Sequence, residues 1–226
     1  KNKSINQNVL KLYLSHQYIP PPLGLLEDTY SLLPGEIITF QKDKDIKRNR
    51  YWELPQDIKP TIFDRELAID LLSNTLNVSI NAELISDVPL AGFLSGGIDS
   101  SLVCLLAQKS MDKPLNAYTI GSHSDYDESL VAKKYANLIG LNQHIEHMNG
   151  AGTLKIIDSI MTSLTEPIAD LSIIPTYLVS QLASQNSKVC LSGDGGDELF
   201  FGYERFWSIA KNFKYYNLPF AMKYSL

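Results

Sequence analysis

One segment limits the fold of this chain more than any other. Pro89–Ser101 combines an apolar run typical of a buried strand, a Gly-Gly turn and the hydroxyl-rich start of a helix. Gly96 and Gly97 allow the backbone to turn sharply and to approach a ligand closely. The free N–H groups and the positive dipole end of the following helix favour an anion. The segment therefore predicts a strand–turn–helix unit that binds a phosphate chain.

The side chains of this segment indicate which kind of phosphate ligand it binds. Ser95, Ser100 and Ser101 add hydroxyl donors, whereas Asp99 would repel a bare phosphate and is therefore expected to hold Mg²⁺ against phosphate oxygens. No lysine follows the glycines, so the Walker A loop does not fit, and the three spaced glycines of the dinucleotide fingerprint are absent. A capped Gly-Gly turn would explain the turn without explaining the hydroxyls and the carboxylate together. Nucleotide binding is the prediction.

Composition narrows the class of protein. With 226 residues, 44% of them hydrophobic, the chain can bury a substantial core. The net charge of -5 argues against a nucleic-acid or anionic-membrane surface. Cys104 and Cys190 lie in apolar stretches and are predicted to be buried thiols in a reducing compartment. No apolar run reaches the length of a membrane span, so we expect a soluble, cytoplasmic protein.

The first fifty residues differ from those that follow. Val9–Gln17 is amphipathic, and Ile19–Pro22 is predicted to be a rigid connector rather than a polyproline ligand. Glu36–Phe40 and Arg48–Glu53 have strand composition, and the charged residues 42–45 between them suit an exposed turn. These two segments predict a hairpin.

From residue 63 onward, apolar periodicity alternates between helix and strand. The predicted helices are 63–85, 100–109, 128–139, 154–164 and 174–185, and the predicted strands are 90–94, 115–120, 143–147 and 188–191. This alternation predicts an α/β fold with a doubly wound parallel sheet.

A second loop, Ser192–Glu198, places Asp194, Asp197 and Glu198 beside three glycines. An exposed Asp-Gly turn followed by an acidic helix start would explain this loop taken alone. However, parallel topology brings both loops to the carboxyl edge of the sheet, where ligands bind. We therefore expect Asp99 and Asp197 to share one Mg²⁺ with a polyphosphate and water.

These residues carry a family resemblance. Ser95–Ser100 resembles the pyrophosphatase loop of ATP-dependent enzymes that form AMP and pyrophosphate. Leu191–Tyr203 and Ile85–Pro89 are similar to the synthetase domain of glutamine-hydrolysing asparagine synthetases, whose relatives include beta-lactam synthetase and amidotransferases of surface-polysaccharide clusters. The resemblance implies a fold of the adenine nucleotide alpha hydrolase-like (HUP) type. It also implies that residues 1–55 are the tail of a glutaminase domain and that 56–226 are a synthetase domain, incomplete at its C-terminus.

The resemblance also implies roles for individual residues. Asp99 and Asp197 would contact the metal, and Asp194 would lie by the reacting acyl group as a catalytic residue. Many family members carry Glu at this last position, so the shorter acid leaves the acceptor open. The implied ATP-binding residues are Phe93, Leu94, Ser95, Gly96, Gly97, Asp99, Ser100, Ser101, Thr119, Ile120, Ser192 and Gly193.

Two further segments lie close to these residues in the resemblance. Glu166–Ser172 resembles the stretch that runs past the acceptor pocket, but the Arg or Thr that often follows in asparagine synthetases is replaced by Ser172, Ile173 and Ile174. Asp125–Ser129 is explained as a helix cap with acidic first-turn residues, with any nucleotide role secondary.

The implied reaction is ATP-dependent amide formation through an acyl-adenylate, with aspartate as acceptor and ammonia from glutamine. The chain begins with Lys1, not with the family's N-terminal cysteine, so this fragment is not expected to hydrolyse glutamine. The resemblance also implies a phosphate-contacting lysine downstream of this chain. It is compatible with a homodimer of the full-length protein. Two alternatives stay open: an amidotransferase with another carboxylate acceptor, and a non-catalytic nucleotide-binding module.

Overall fold

The computed structural model describes residues 3–56, 59–122, 127–148 and 150–213. Within these residues the chain forms eight helices and six strands. In chain order they are α1 (Gln7–His16), β1 (Glu36–Thr39), β2 (Lys47–Arg50), α2 (Arg65–Glu83), β3 (Leu90–Phe93), α3 (Ile98–Lys109), β4 (Asn116–Gly121), α4 (Ser129–Ile139), β5 (Asn142–His147), α5 (Gly150–Ser163), α6 (Ile173–Ser184), β6 (Val189–Leu191), α7 (Gly196–Phe200) and α8 (Glu204–Lys211).

The larger sheet has four parallel strands in the order β5-β4-β3-β6. The chain moves outward from β3 through β4 to β5 and then returns to the other side of β3 to form β6. The strand order therefore reverses between β3 and β6, which is where open parallel sheets bind ligands. This topology confirms the predicted α/β fold with a parallel sheet.

Helices cover both faces of this sheet. On one face, side chains from α2, α3 and α4 form a buried cluster with the strands, and its members are Ile80, Leu94, Cys104, Leu106, Ala107, Leu115, Ala117, Ala132 and Ala136. On the other face, Ala91 and Tyr118 pack with Ala183 of α6. Because side chains alternate across a strand, Phe93 and Leu94 belong to opposite faces. The sheet is doubly wound, as predicted.

Specific residues define the start and the end of α4. At its start, Asp127 accepts hydrogen bonds from the Ser129 N–H at 3.0 Å, the Ser129 hydroxyl at 2.9 Å and the Ser122 N–H at 3.2 Å. At its end, Gly140 adopts φ 83°, a left-handed conformation that glycine favours. Asp127 therefore holds the start of α4, whereas the N-cap residue Glu128 makes no side-chain cap bond and the predicted acidic residues of the first turn are not there. Asp125 and Tyr126 lie outside the described residues.

The chain divides into two compact units, one of residues 1–70 with 150–177 and one of 71–149 with 178–226. In the first unit, β1 and β2 pair antiparallel, which confirms the predicted hairpin. Also in this unit, Ala169 N–H donates to the Gln17 carbonyl at 2.9 Å and Leu25 N–H donates to Glu166 at 3.3 Å. A domain boundary at residue 55 stays a prediction.

Among the described residues, no helix is both long enough and apolar enough to span a membrane. Cys104 and Cys190 are both free thiols, as predicted, although Cys190 is only half-buried.

Candidate nucleotide-binding site

The first loop connects β3 to α3 and is held by its own serines. Ser95 N–H donates to Ser100 Oγ at 3.1 Å, and the Ser95 and Ser100 hydroxyls are 2.8 Å apart. Gly97 N–H donates to Ser95 Oγ at 3.1 Å, and Ser101 Oγ donates to the Gly97 carbonyl at 2.8 Å. The predicted hydroxyl donors therefore shape the turn, and Ser100 and Ser101 are buried within it.

A neighbouring element also holds this loop. Gly96 N–H donates to Glu128 Oε2 at 3.1 Å. A Cβ atom at Gly96 would lie 2.9 Å from Glu128 Cβ and 3.2 Å from Val131 Cβ, so the close approach of α4 requires glycine here. Glu128 was not among the predicted site residues, because an acid at a helix start is explained by the helix dipole alone.

The first turn of α3 supplies backbone N–H donors. Gly97 is the N-cap residue, and no side chain of the described residues caps this helix. The first N–H groups of a helix have no partner within the helix and carry its positive dipole end. Asp99, in this first turn, is half-buried. The start of α3 can therefore bind phosphate oxygens directly.

The second loop packs against the same helix turn. A Cβ atom at Gly193 would lie 2.6 Å from Ser100 N and 3.1 Å from Asp99 Cβ. A Cβ atom at Gly196 would lie 2.5 Å from Asp99 Cγ. Two loops that are about a hundred residues apart in the sequence therefore meet beyond β3 and β6. The expected convergence of the two loops is confirmed.

The donor chemistry of this junction fits Mg²⁺. Asp197 directly follows Gly196, and both Asp99 and Asp197 are half-buried, with no ion pair to a cation in the described part of the chain. The described residues contain no group of three or more His, Cys, Asp or Glu side chains that could enclose a metal. Mg²⁺ in nucleotide sites is commonly bound through one or two carboxylates, with phosphates and water as its other ligands. The sharing of one ion by Asp99 and Asp197 stays a prediction.

The remaining acids of the second loop have local partners. Ser192 Oγ donates to the exposed Asp194 carboxylate at 3.0 Å. The Tyr203 hydroxyl donates to Glu198 at 2.6 Å, which lowers the pKa of that carboxyl and raises the pKa of the tyrosine. Arg205 stacks over the Tyr203 ring at 4.2 Å. Both acids are therefore exposed, and each accepts a hydrogen bond from a side chain of the same segment, Asp194 from Ser192 and Glu198 from Tyr203.

Four of the predicted ATP-binding residues lie near the carboxyl ends of β3 and β4. Leu94 is 3% exposed and lies in the core cluster. Thr119 is also buried, and its hydroxyl donates to the Leu94 carbonyl at 2.8 Å and accepts from Gln143 Nε2 at 2.8 Å. Phe93 and Ile120 are half-buried. These contacts with ATP stay predictions, and Leu94 and Thr119 are both buried.

The model of the family described as asparagine synthase matches residues 71–224 of this chain. The chain belongs to the asparagine synthase family. This membership confirms the family resemblance from which the roles of the site residues were predicted. The matched region contains both loops of the candidate site.

Curated relatives agree with the asparagine synthase family. The chain is 35% identical over 205 residues to a Methanocaldococcus jannaschii protein of the glutamine-hydrolyzing asparagine synthetase type, covering 90% of this chain and 39% of that protein. It is 31% identical over 200 residues to asparagine synthetase [glutamine-hydrolyzing] 1 of Bacillus subtilis, covering 88% of this chain and 31% of that protein. It is 27% identical over 195 residues to amidase chyE of Penicillium rubens, covering 78% of this chain and 29% of that protein. The chain thus spans well under half the length of these relatives.

Proposed function

We propose that this chain is the ATP-binding synthetase part of an enzyme that joins ammonia to a carboxylate through an acyl-adenylate. Family membership supports the reaction class. The observation that carries the proposal is the packing of Gly193 and Gly196 against Asp99, which brings both family loops to one end of α3. This end lies where the strand order reverses, the usual place for a nucleotide on such a sheet.

In this proposal the triphosphate lies at the start of α3. The N–H groups of the first helical turn bind its oxygens, and the hydrogen bonds among Ser95, Ser100 and Gly97 keep those donors oriented. Asp99 and Asp197 would hold Mg²⁺, which neutralises charge on the pyrophosphate when it is bound.

The chemistry has two steps. An acceptor carboxylate oxygen attacks the α-phosphorus of ATP, the bond from that phosphorus to pyrophosphate breaks, and an acyl-adenylate forms. Ammonia then attacks the acyl carbon, and AMP leaves with the oxygen that joined its phosphorus to that carbon. The nitrogen loses a proton to give the neutral amide. We assign this proton to Asp194, whose carboxylate is exposed beside Ser192. The oriented donors at α3 favour the first step because they stabilise charge on the leaving pyrophosphate.

The names of the Bacillus and Methanocaldococcus relatives support aspartate as the acceptor and asparagine as the product. Ammonia would come from glutamine, which a glutaminase domain would hydrolyse. The enzyme would act in the cytoplasm and would form a homodimer. A second candidate keeps the adenylation but uses another carboxylate. It is favoured by the shorter acid Asp194, which is held by Ser192 within its own loop, and by the amidase relative from Penicillium.

The test is a panel of carboxylates assayed for pyrophosphate release with ATP, Mg²⁺ and ammonium, with the amide product identified by mass spectrometry. Aspartate activity supports asparagine synthesis, and activity with another acid supports the second candidate. Asp99→Asn should abolish release, whereas Asp112→Asn, an exposed acid between α3 and β4, should leave it unchanged. Binding of Mg²⁺–ATP without release of pyrophosphate for any acid would refute amide synthesis and leave a nucleotide-binding module.

A further inference from the structure

We propose that Glu128 is a positioning residue for nucleotide binding: its carboxylate fixes the Gly96 amide and so holds the first loop in the shape that accepts the triphosphate. The inference rests on the proposed function, because it assigns the triphosphate to that loop. It concerns a side chain that none of the predicted ATP, metal or catalytic contacts includes.

The hydrogen bonds of the loop distinguish Gly96 from its neighbours. The Ser95 and Gly97 amides both donate to serine hydroxyls within the loop and the start of α3. The Gly96 amide donates instead to Glu128, 32 residues further along the chain and directly before α4. Of these three amides, Gly96 thus ties the loop to a different element of the fold.

Glu128 is held on a rigid support. Its neighbour Asp127 binds the Ser122 N–H just after β4 and the Ser129 N–H at the start of α4. Farther along α4, Ala132 and Ala136 are fully buried in the core cluster. The position of the Glu128 backbone is therefore set by the sheet and the core, and the carboxylate transmits that position to Gly96.

Close packing strengthens this contact. Gly96 lies so near Glu128 Cβ and Val131 Cβ that even a methyl group would overlap them, so the loop rests directly on α4. A hydrogen bond from an amide to an ionised carboxylate is stronger than one to a neutral acceptor. If the acceptor is removed, the Gly96 peptide is free to rotate, and the order of the neighbouring donors is lost with it.

Two substitutions separate the effect of the hydrogen-bond acceptor at Glu128 from the effect of its negative charge. Glu128→Ala removes the acceptor, and we expect it to raise the Kd for Mg²⁺–ATP by about tenfold. Glu128→Gln keeps a carbonyl acceptor and removes a negative charge close to the phosphates, so its Kd should stay within about threefold of the unmodified protein. Glu83→Ala, at an exposed position near the end of α2, is the matched control and should leave the Kd unchanged.

Hydrogen exchange without nucleotide supplies the second measurement. Amides 95–97 should exchange faster in Glu128→Ala. In Glu128→Gln their exchange should fall between Glu128→Ala and the unmodified protein, because the neutral acceptor is weaker, and Glu83→Ala should match the unmodified protein. Unchanged exchange, or a Kd for Glu128→Ala that is unchanged or lower, overturns the role of Glu128. If the unmodified protein binds no Mg²⁺–ATP, the proposed function fails, and the exchange rates alone decide whether Glu128 holds the loop.

Discussion

Replacing Gly193 by alanine would push apart the two loops of the candidate site. The added Cβ would lie 2.6 Å from Ser100 N and 3.0 Å from the carbonyl carbon of Asp99, about 0.8 Å short of an ordinary contact for the nearer atom. Both neighbours belong to the backbone of the first turn of α3, so they cannot rotate away as a flexible side chain would. The second loop must therefore shift relative to Asp99.

The magnitude follows from overpacking. Forcing an extra carbon into a close-packed site costs about 1–3 kcal/mol. In a chain of this size each kcal/mol lowers the melting temperature by about 2–4 °C, so we expect Gly193→Ala to melt about 2–12 °C lower. The same shift would weaken Mg²⁺–ATP binding. A tenfold loss of affinity, at a ligand concentration of 100 Kd for the unmodified protein, reduces the stabilisation by ligand from about 2.7 to about 1.4 kcal/mol.

Thermal unfolding with and without Mg²⁺–ATP measures both effects. The control is Gly140→Ala, because Gly140 has φ 83° and no heavy atom within 4 Å of the added carbon. That substitution should cost about 1 kcal/mol of backbone strain and leave the shift caused by Mg²⁺–ATP unchanged. If Gly193→Ala retains the full ATP-dependent shift, the contact between the loops plays no part in nucleotide binding.

Three further substitutions or treatments test separate features. Thr119→Val removes the hydroxyl bonded to the Leu94 carbonyl and should cost about 1–3 kcal/mol in urea unfolding; no loss would contradict the buried hydrogen bond. Hydrogen bonds from Ser129 and Ser122 lower the pKa of Asp127, so its stabilising effect is present above the unfolded pKa of about 3.9 and is lost as the pH falls through the lower folded value. The melting-temperature difference between the unmodified protein and Asp127→Asn should therefore shrink below about pH 4, and a difference that grows there refutes this cap. Burial raises the pKa of the Cys104 thiol to about 12, so iodoacetamide at pH 8 should modify it only after unfolding, as peptide mapping would show.

Apolar periodicity and short apolar runs predicted most of the α/β order, because helices and buried strands space their apolar residues differently. The helix expected at 128–139 is α4, which ends at Ile139 before the left-handed Gly140. The strand expected at 90–94 is β3, and the hairpin expected around residues 36–53 is formed by β1 and β2. The short α7 begins at the acidic helix start considered for the second loop, with Asp197 and Glu198 in its first turn, but five residues are too few to give a periodic signal that predicts its length.

Side-chain direction at the site was harder to predict than position. The strands near Leu94 and Thr119 are buried on both faces, so the sequence does not tell which side chains face a ligand and which face the core. The contact of Glu128 with Gly96 joins positions 32 residues apart and depends on how closely α4 approaches the loop. No local pattern encodes that distance, whereas the convergence of the two loops followed from parallel topology alone.

Asp99 and Asp197 are proposed to serve one nucleotide–metal site. The most direct measurement is the binding of Mn²⁺ with ATP, followed by electron paramagnetic resonance, for Asp99→Ala, Asp197→Ala and the double variant. A shared site predicts one Mn²⁺ per chain, strong loss in each single variant, and a double variant hardly worse than the more affected single one. Full Mn²⁺–ATP binding in either single variant, or losses that simply add, would contradict it.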